Sequence, residues 1–351
     1  EDMKKALIIT LAIVLFSAVM VACNIDATLG IYSEVAQSTP STDVVLREYL
    51  GYYDSKYFYL SDDGVYTLSS GTTTKIIASD DNQRVVGAFM ESGTAKLYVL
   101  VESKDKDKMG ETTLKYSTDA GKNFTDLTTG IMGMLSNGFC WNSSRIYYMQ
   151  NSELHEFTTN ICDKITILSS LSSDSETDDE YAFFSVNETT GDTTTNRYYV
   201  LKYGQNAPEK NLEGDSTYYC GFQYIGGEFY LLYKDTSKNL SYVYKLNNED
   251  KIEQYVKLNF NLKFSKTQNA TFYDPGYGKL VVKCSTYFDE VTLGDSPSVE
   301  SVKNKYASNI CTADITNIKL RDAQVYVVGT VNSMMYSIDM GNPDNAPVQI
   351  K

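Results

Sequence analysis

Lys56-Tyr57-Phe58-Tyr59-Leu60, a turn at Ser61-Asp62-Asp63-Gly64, and then Val65-Tyr66-Thr67-Leu68 form a strand, turn, strand unit that recurs along the chain. The leading strand reappears as Lys96-Leu97-Tyr98-Val99-Leu100, Arg145-Ile146-Tyr147-Tyr148, Tyr181-Ala182-Phe183-Phe184, Glu228-Phe229-Tyr230-Leu231-Leu232, Lys279-Leu280-Val281-Val282 and Gln324-Val325-Tyr326-Val327-Val328. The centres Phe58, Tyr98, Tyr147, Ala182, Tyr230, Val281 and Tyr326 are separated by 40, 49, 35, 48, 51 and 45 residues, about 45 on average. A second strand follows in six of the seven copies, as in Thr113-Leu114-Lys115-Tyr116, Glu153-Leu154-His155-Glu156-Phe157, Tyr198-Tyr199-Val200-Leu201, Tyr242-Val243-Tyr244-Lys245-Leu246 and Met334-Met335-Tyr336-Ser337.

A repeat of roughly 40–50 residues built only of strands is the signature of a β-propeller blade, four antiparallel strands forming one radial sheet. Such a sheet buries both faces against its neighbours, so its strands read as apolar runs rather than as clean alternation. Tyr230-Leu231-Leu232-Tyr233 and Tyr147-Tyr148-Met149 are runs of this kind. The expected fold is therefore all-β, a β-propeller of about seven four-stranded blades over residues 44–351. A pair of β-sandwiches matches the strand spacing but not the recurring order. In closed propellers the first and last blades must join. The apolar Val44-Val45-Leu46 ahead of the first full repeat is expected to complete the last blade, beside Val325–Val328, Met335–Ser337 and Val348–Ile350.

Tyr116-Ser117-Thr118-Asp119-Ala120-Gly121-Lys122-Asn123-Phe124 resembles the Asp-box, Ser-x-Asp-x-Gly-x-x-aromatic, of BNR-type propellers such as sialidases and photosystem II assembly factors. The resemblance implies a turn between the third and fourth strands of a blade. In it Ser117 and Asp119 bond turn backbone, Gly121 supplies positive φ and Phe124 tucks into the blade. Ser337-Ile338-Asp339-Met340-Gly341 repeats the first half in the last blade, where Pro343 follows and no aromatic closes the motif. Ser61-Asp62-Asp63-Gly64 reads as a turn only. The Asp-box is structural in its family, so it speaks for fold and not for activity.

The sialidase residues are missing. That chemistry needs an arginine triad, an Arg-Ile-Pro segment, a tyrosine–glutamate pair and an aspartate acid/base. The chain has five arginines, Arg47, Arg84, Arg145, Arg197 and Arg321, and Arg145-Ile146-Tyr147 fails at the third position. The sole histidine, His155, lies between Glu153 and Glu156 and reads as a surface residue; GxSxG and HExxH do not occur. Asp105-Lys106-Asp107-Lys108-Met109-Gly110 begins like a calcium loop, but Met109 replaces an oxygen ligand and Tyr116 stands where the bidentate glutamate belongs. The acidic run Asp174–Glu180 reads as a solvated loop. No catalytic residue, metal site or cofactor is assigned, and the chain is expected not to be an enzyme; a degenerate or unusual glycan-active enzyme, a glycoside hydrolase, is the alternative. Among the 29 tyrosines most are expected to pack blades, while others, with Trp141, present surface suited to a protein or a glycan.

The other signal is N-terminal. After Glu1-Asp2, which reads as an addition before the start, come Met3, Lys4 and Lys5, and then a run from Ala6 to Val21. Its 16 residues suit a signal-peptide core better than a membrane span of about 20. Met20-Val21-Ala22-Cys23 resembles the bacterial lipobox, with Met20 departing from the usual leucine, and implies lipid attachment at Cys23 after cleavage of residues 1–22. The mature lipoprotein cysteine of that family carries three acyl chains, more than the two signals stable anchoring takes. Residues 23–43, rich in Ser, Thr, Ala and Gln, read as a lipidated tether. Asn24 rather than aspartate follows the cysteine, which favours the outer membrane or cell surface over inner-membrane retention. The net charge of −14 is unchanged by the cleavage, because two acids and two lysines leave. That charge disfavours nucleic acid and charge-driven docking on anionic lipid; the expected partners are the membrane, through the anchor, and another envelope protein or a glycan. Cys140, Cys162, Cys220, Cys284 and Cys311 remain, an odd number in apolar contexts, and read as buried free thiols. Cys140–Cys162 and Cys284–Cys311 are the pairings open to an exported chain.

Overall fold

In the computed structural model two compact units are distinguished, residues 1–44 and residues 45–351, and the described strands belong to the second. The structure describes residues 44, 46–157, 164–173, 180–190, 193–207, 210–213, 219–225, 227–235, 237–246, 251–259, 262, 271–274, 278–284, 287–302, 315–321, 324–329, 335–339 and 348–350. Met20, Val21, Ala22 and Cys23 lie outside them, as do Cys162, Cys311, Gly341 and the acids 174–179.

The strands form seven four-stranded antiparallel sheets in chain order. Blade 1 is β1–β4 (Leu46–Tyr53, Lys56–Ser61, Gly64–Ser69, Thr72–Ala78), and blade 2 is β5–β8 (Gln83–Met90, Leu97–Ser103, Thr112–Ser117, Thr125–Thr129). Blade 3 is β9–β12 (Gly133–Met134, Phe139–Trp141, Ile146–Gln150, Glu153–Glu156), and blade 4 is β13–β16 (Lys164–Ser173, Glu180–Thr190, Thr193–Lys202, Lys210–Glu213). Blade 5 is β17–β20 (Tyr219–Ile225, Glu228–Asp235, Leu240–Leu246, Ile252–Lys257), and blade 6 is β21–β24 (Thr271–Asp274, Lys279–Cys284, Tyr287–Thr292, Ser298–Val302). Blade 7 is β25–β28 (Ile315–Arg321, Gln324–Gly329, Met335–Asp339, Val348–Gln349). The chain is a β-propeller of seven blades.

The recurring apolar strand is the second strand of its blade in six of the seven sheets; in blade 3 it is the third, β11. That offset explains the uneven spacing around Tyr147. Blade 3 opens with strands of only two and three residues, so its apolar run falls one strand late.

Neighbouring blades share their cores. Leu50, Phe58, Leu60 and Val65 of blade 1 cluster with Val85, Ala88, Met90, Leu97 and Val99 of blade 2. Phe139, Ile146, Tyr148 and Phe157 of blade 3 cluster with Ala182, Phe184, Tyr199 and Leu201 of blade 4. Each large side chain buried this way is worth roughly 1.5–3 kcal/mol, which is why both faces of second strands such as Phe58–Leu60, Leu97–Val101 and Phe229–Leu232 are apolar. The innermost strands press together through small residues: a Cβ on Gly87 in β5 would meet Met134 of β9 at 3.3 Å. A one-residue bulge precedes Gly51, Gly87 and Gly221 in their innermost strands, and bulges recur in β13 and β25. Bulges of this kind bend and twist a strand locally.

Ring closure differs from the sequence expectation. The N-terminal strand β1 does not complete the last blade; it is the innermost strand of blade 1, paired with β2 from Leu46↔Ser61 to Tyr53↔Lys56. Blade 7 takes all four of its strands from the C-terminal end, β28 pairing with β27. The first and last blades meet by packing of β1 on β25 and β26. An eight-residue strand with Leu46, Tyr49 and Leu50 buried is long enough to nucleate its own hairpin with β2, through the Asp54-Ser55 turn, where both residues have positive φ.

Candidate functional site

The two ends of the propeller are built differently. At one end, here the turn face, lie the turns between the first and second strands of each blade and those between the third and fourth. At the other, the entry face, each innermost strand begins; Arg47, at the start of β1, sits 3.9 Å from Asp62 of the β2–β3 turn.

Tyrosine hydroxyls stitch the turn face. Tyr98 in β6 of blade 2 donates to Glu91 Oε1 (2.8 Å) and accepts from Ser152 N in the β11–β12 turn of blade 3 (2.8 Å). Glu91 Oε1 also takes Asn151 N at 2.9 Å, and Lys96 Nζ reaches Glu91 Oε2 at 3.2 Å and Asn151 Oδ1 at 2.8 Å. Burial, and then the neighbouring Glu91, push the Tyr98 phenol well above its usual range, so it stays a donor. One blade on, Tyr203 donates to Met149 O, and Tyr148 to Asn206 Oδ1 at 3.0 Å. Tyr255 in β20 both donates to Gly294 O and accepts from Gly294 N, each at 2.8 Å, across to blade 6. A cleft of about 380 Å³ lies here, where Lys245 is 2.6 Å from Glu228 and over the rings of Tyr230 and Tyr255.

Ser117, Asp119, Gly121 and Phe124 come together in the turn between β7 and β8, the third and fourth strands of blade 2. Ser117 Oγ donates to Asp119 Oδ1 (2.7 Å) and accepts from Gly121 N (2.8 Å). Asp119 accepts from Asn123 N (2.9 Å) and Asn123 Nδ2 (2.7 Å). Ala120 and Gly121 have φ of 58° and 87°, and a Cβ on Gly121 would come within 2.3 Å of Ile76 Cγ2. Phe124 is half-buried against the core shared by blades 1 and 2. The Asn123 backbone N–H, then the Ser117 hydroxyl and the Asn123 amide hold the Asp119 carboxyl down to about 2. A depressed carboxyl stabilises the fold fully above its unfolded value near 3.8, and that contribution is lost as pH falls through about 2. Asp119→Ala is therefore expected to lower the melting temperature at pH 7, with the gap from wild type closing between about pH 4 and pH 2. Melts of both proteins across that range check it; a gap independent of pH sinks the assignment. Ser337 and Asp339 lie in β27 of blade 7, so the second partial motif begins inside a strand.

His155 differs from its reading as a surface residue. It sits in β12, half-buried, stacked on Tyr148 at 4.9 Å, with Nε2 sealed from solvent. The exposed charges of that strand are Glu153 and Glu156, the latter ion-paired with Arg145. Arg47 and Arg84 are likewise spent on acids of their own blades, Arg84 at 2.5 Å from Glu102, so these three arginines lie in three blades and do not converge. Asp105 caps its own hairpin, accepting from Asp107 N at 3.1 Å. Cys140 is a buried free thiol whose pKa burial raises, and it forms no bridge. Cys220 and Cys284 lie in β17 and β22. Trp141 covers Gly133, where a Cβ would meet the indole at 2.1 Å, and so acts as a packing residue.

On the entry face, a cleft of about 510 Å³ opens between the β6–β7 hairpin and the link from β8 to β9, lined by Glu102, Gly110, Glu111, Thr112, Thr129, Gly130, Ile131 and Met132. Thr112 Oγ1 donates to Ile131 O at 2.5 Å, tying its walls. Met132 and, beside the cleft, Met109 are 65% and 73% exposed, the two most exposed large apolar residues described. Sequence reading treated Met109 only as a failed calcium ligand and passed over Met132, because neither lies in a strand pattern.

No family model matches the chain, and no curated protein matches it. Among solved structures it is similar to the Dos1 propeller, at 11% identity over 89% of this chain and 85% of that one, with a TM-score of 0.48. The β-propeller domain of the Trilobed protease from Pyrococcus furiosus, described as having an open velcro topology, gives 9% identity, 88% and 96% coverage and a TM-score of 0.48. Apo AztD from Citrobacter koseri gives 11%, 88%, 86% and 0.42. The fold assignment stands on the chain's own seven sheets.

Proposed function

We propose that this chain is a lipid-anchored bacterial envelope lipoprotein whose β-propeller is a non-catalytic binding or scaffolding module. The entry-face cleft flanked by exposed methionines carries the binding reading; the turn face, with a smaller cleft, is stitched by tyrosine hydroxyls. Binding residues concentrate on loops held by a rigid scaffold, and methionine suits surfaces that adapt to a partner. The anchor rests on Met20-Val21-Ala22-Cys23 after the apolar run, with the outer membrane or cell surface as its location. The bonding of Ser117, Asp119 and Gly121 supports reading that turn as an Asp-box.

Cys23→Ala is expected to abolish labelling by a palmitate analogue and to leave unprocessed precursor, since the thiol is the site of acylation. Equal label in mutant and wild type rules out the lipobox. A glycan array with a hydrolase screen separates the binding module from the glycan-active alternative: turnover of any glycan, lost on changing acids of one cleft, reverses the assignment.

A further inference from the structure

We infer that the β9–β10 turn, residues 135–138, is a plug across the axis of the ring that staples blade 3 to blade 1 past the intervening blade 2. Its sequence, Leu135-Ser136-Asn137-Gly138, is that of a surface turn, and turns run over surfaces because a buried one leaves polar groups in need of partners. Yet Leu135, Ser136 and Asn137 are 6%, 4% and 0% exposed. The partners come from other blades. Ser136 Oγ donates to the Glu48 carboxylate in β1 of blade 1, and Asn137 Nδ2 donates to Tyr181 O in β14 of blade 4 at 2.9 Å. Gly138, with φ of 93°, sits between Phe89 of blade 2 and Tyr203, just past β15 in blade 4, where a Cβ would come within 2.9 Å of the first ring and 2.6 Å of the second. Only glycine combines that φ with that clearance.

Blades 1 and 3 are not neighbours, so a bond from Glu48 to Ser136 has to pass in front of β5, the innermost strand of blade 2, through the space a propeller keeps as its central channel. The innermost strands of blades 4 and 7, β13 and β25, also pack on each other although two blades separate them. The axis is therefore a filled hub at this level, and the ring offers a partner its faces. The hub also reinforces ring closure. Blade 7 receives no strand from the N-terminus, and blade 1 meets it by packing of β1 on β25 and β26. Glu48 gives β1 a second hold through a charge-assisted hydrogen bond, and such bonds are stronger than neutral ones. Drawing β1 away from the last blade then also requires pulling the plug.

Hydrogen exchange of the full chain, read by mass spectrometry, tests the staple. In Ser136→Ala the amides of residues 46–61, in blade 1, are expected to exchange roughly ten-fold faster, while those of β18 and β19 in blade 5 keep wild-type rates. In a Glu48→Ala background the same Ser136→Ala change adds nothing at residues 46–61, because the bond is already gone. The reciprocal variant Glu48→Gln, which keeps an acceptor oxygen, is expected to speed exchange at residues 135–139 about three-fold. It carries the test if Ser136→Ala does not fold, and unchanged exchange at residues 135–139 in it overturns the staple. Acceleration confined to the β9–β10 turn in Ser136→Ala reduces the turn to local packing and overturns the inference. Equal acceleration in blades 1 and 5 makes the bond an ordinary contribution to global stability and overturns it as well.

Discussion

Truncation through Leu50 is expected to unfold the propeller at ordinary temperatures, whereas removal of residues 23–42 leaves its melting temperature unchanged. The first cut takes Leu46, Tyr49 and Leu50, at 3%, 1% and 0% exposure, out of the innermost strand of blade 1. Burial of three such side chains is worth about 5–8 kcal/mol, comparable with the whole stability of a typical domain. The same cut leaves the inner edge of β2 without its partner and removes the surface on which β25 and β26 close the ring. Hydrogen exchange distinguishes this from closure by strand donation. In the observed topology protection is lost first at Phe58–Ser61, the partners of β1; a donated strand would instead expose the edge of the last blade. Two truncations that melt alike would remove β1 from the structural core.

The legible part of the fold was the part written in apolar side chains. Second strands such as Phe58–Leu60 and Leu231–Leu232 are buried on both faces, so they appear as runs in any order of reading. Innermost strands were harder: in blades 1, 2 and 5 they share a bulge followed by a glycine, Gly51, Gly87 or Gly221, and a bulge breaks the period that sequence reading depends on. The same local blindness misplaced β1. Val44-Val45-Leu46 reads as an apolar strand, but whether it pairs with β2 or with the last blade is decided by the Asp54-Ser55 turn, not by its own residues. Of the site residues, Ser117, Asp119 and Gly121 were visible because their hydrogen bonds are local, spanning two to four positions. The entry-face cleft had no such signature, since it joins residues 102–112 and 129–132 across a blade boundary.

The Glu91 network is the hardest of all to see in sequence, joining Glu91 to Asn151 across 60 positions, and its removal should have the largest effect of any single side chain on the turn face. Glu91→Ala takes the acceptor from the Tyr98 hydroxyl and the Asn151 N–H and leaves the Lys96 ammonium only Asn151 Oδ1. The Glu91 side chain is 11% exposed, Lys96 26% and Asn151 lies in the exposed turn, so water rescues the ammonium and the Asn151 N–H in part and the buried Tyr98 hydroxyl hardly at all. A loss of about 3 kcal/mol is expected, seen as a melting temperature lower by roughly 5–10 °C. Glu91→Gln keeps an acceptor oxygen and should lose less than half as much. Tyr98→Phe removes one donor to the carboxylate and the acceptor of the Ser152 N–H while leaving the carboxylate held by Lys96 and Asn151, so it should be milder than Glu91→Ala. Once Glu91 is gone, the Tyr98 hydroxyl has lost its acceptor, and taking it away costs only its bond from the Ser152 N–H. The double variant Glu91→Ala with Tyr98→Phe should therefore be less destabilised than the two single losses added together, by about 1 kcal/mol. Strict additivity in that cycle would mean that Glu91 and Tyr98 act separately, and that the blade 2 to blade 3 seam is held by apolar packing alone.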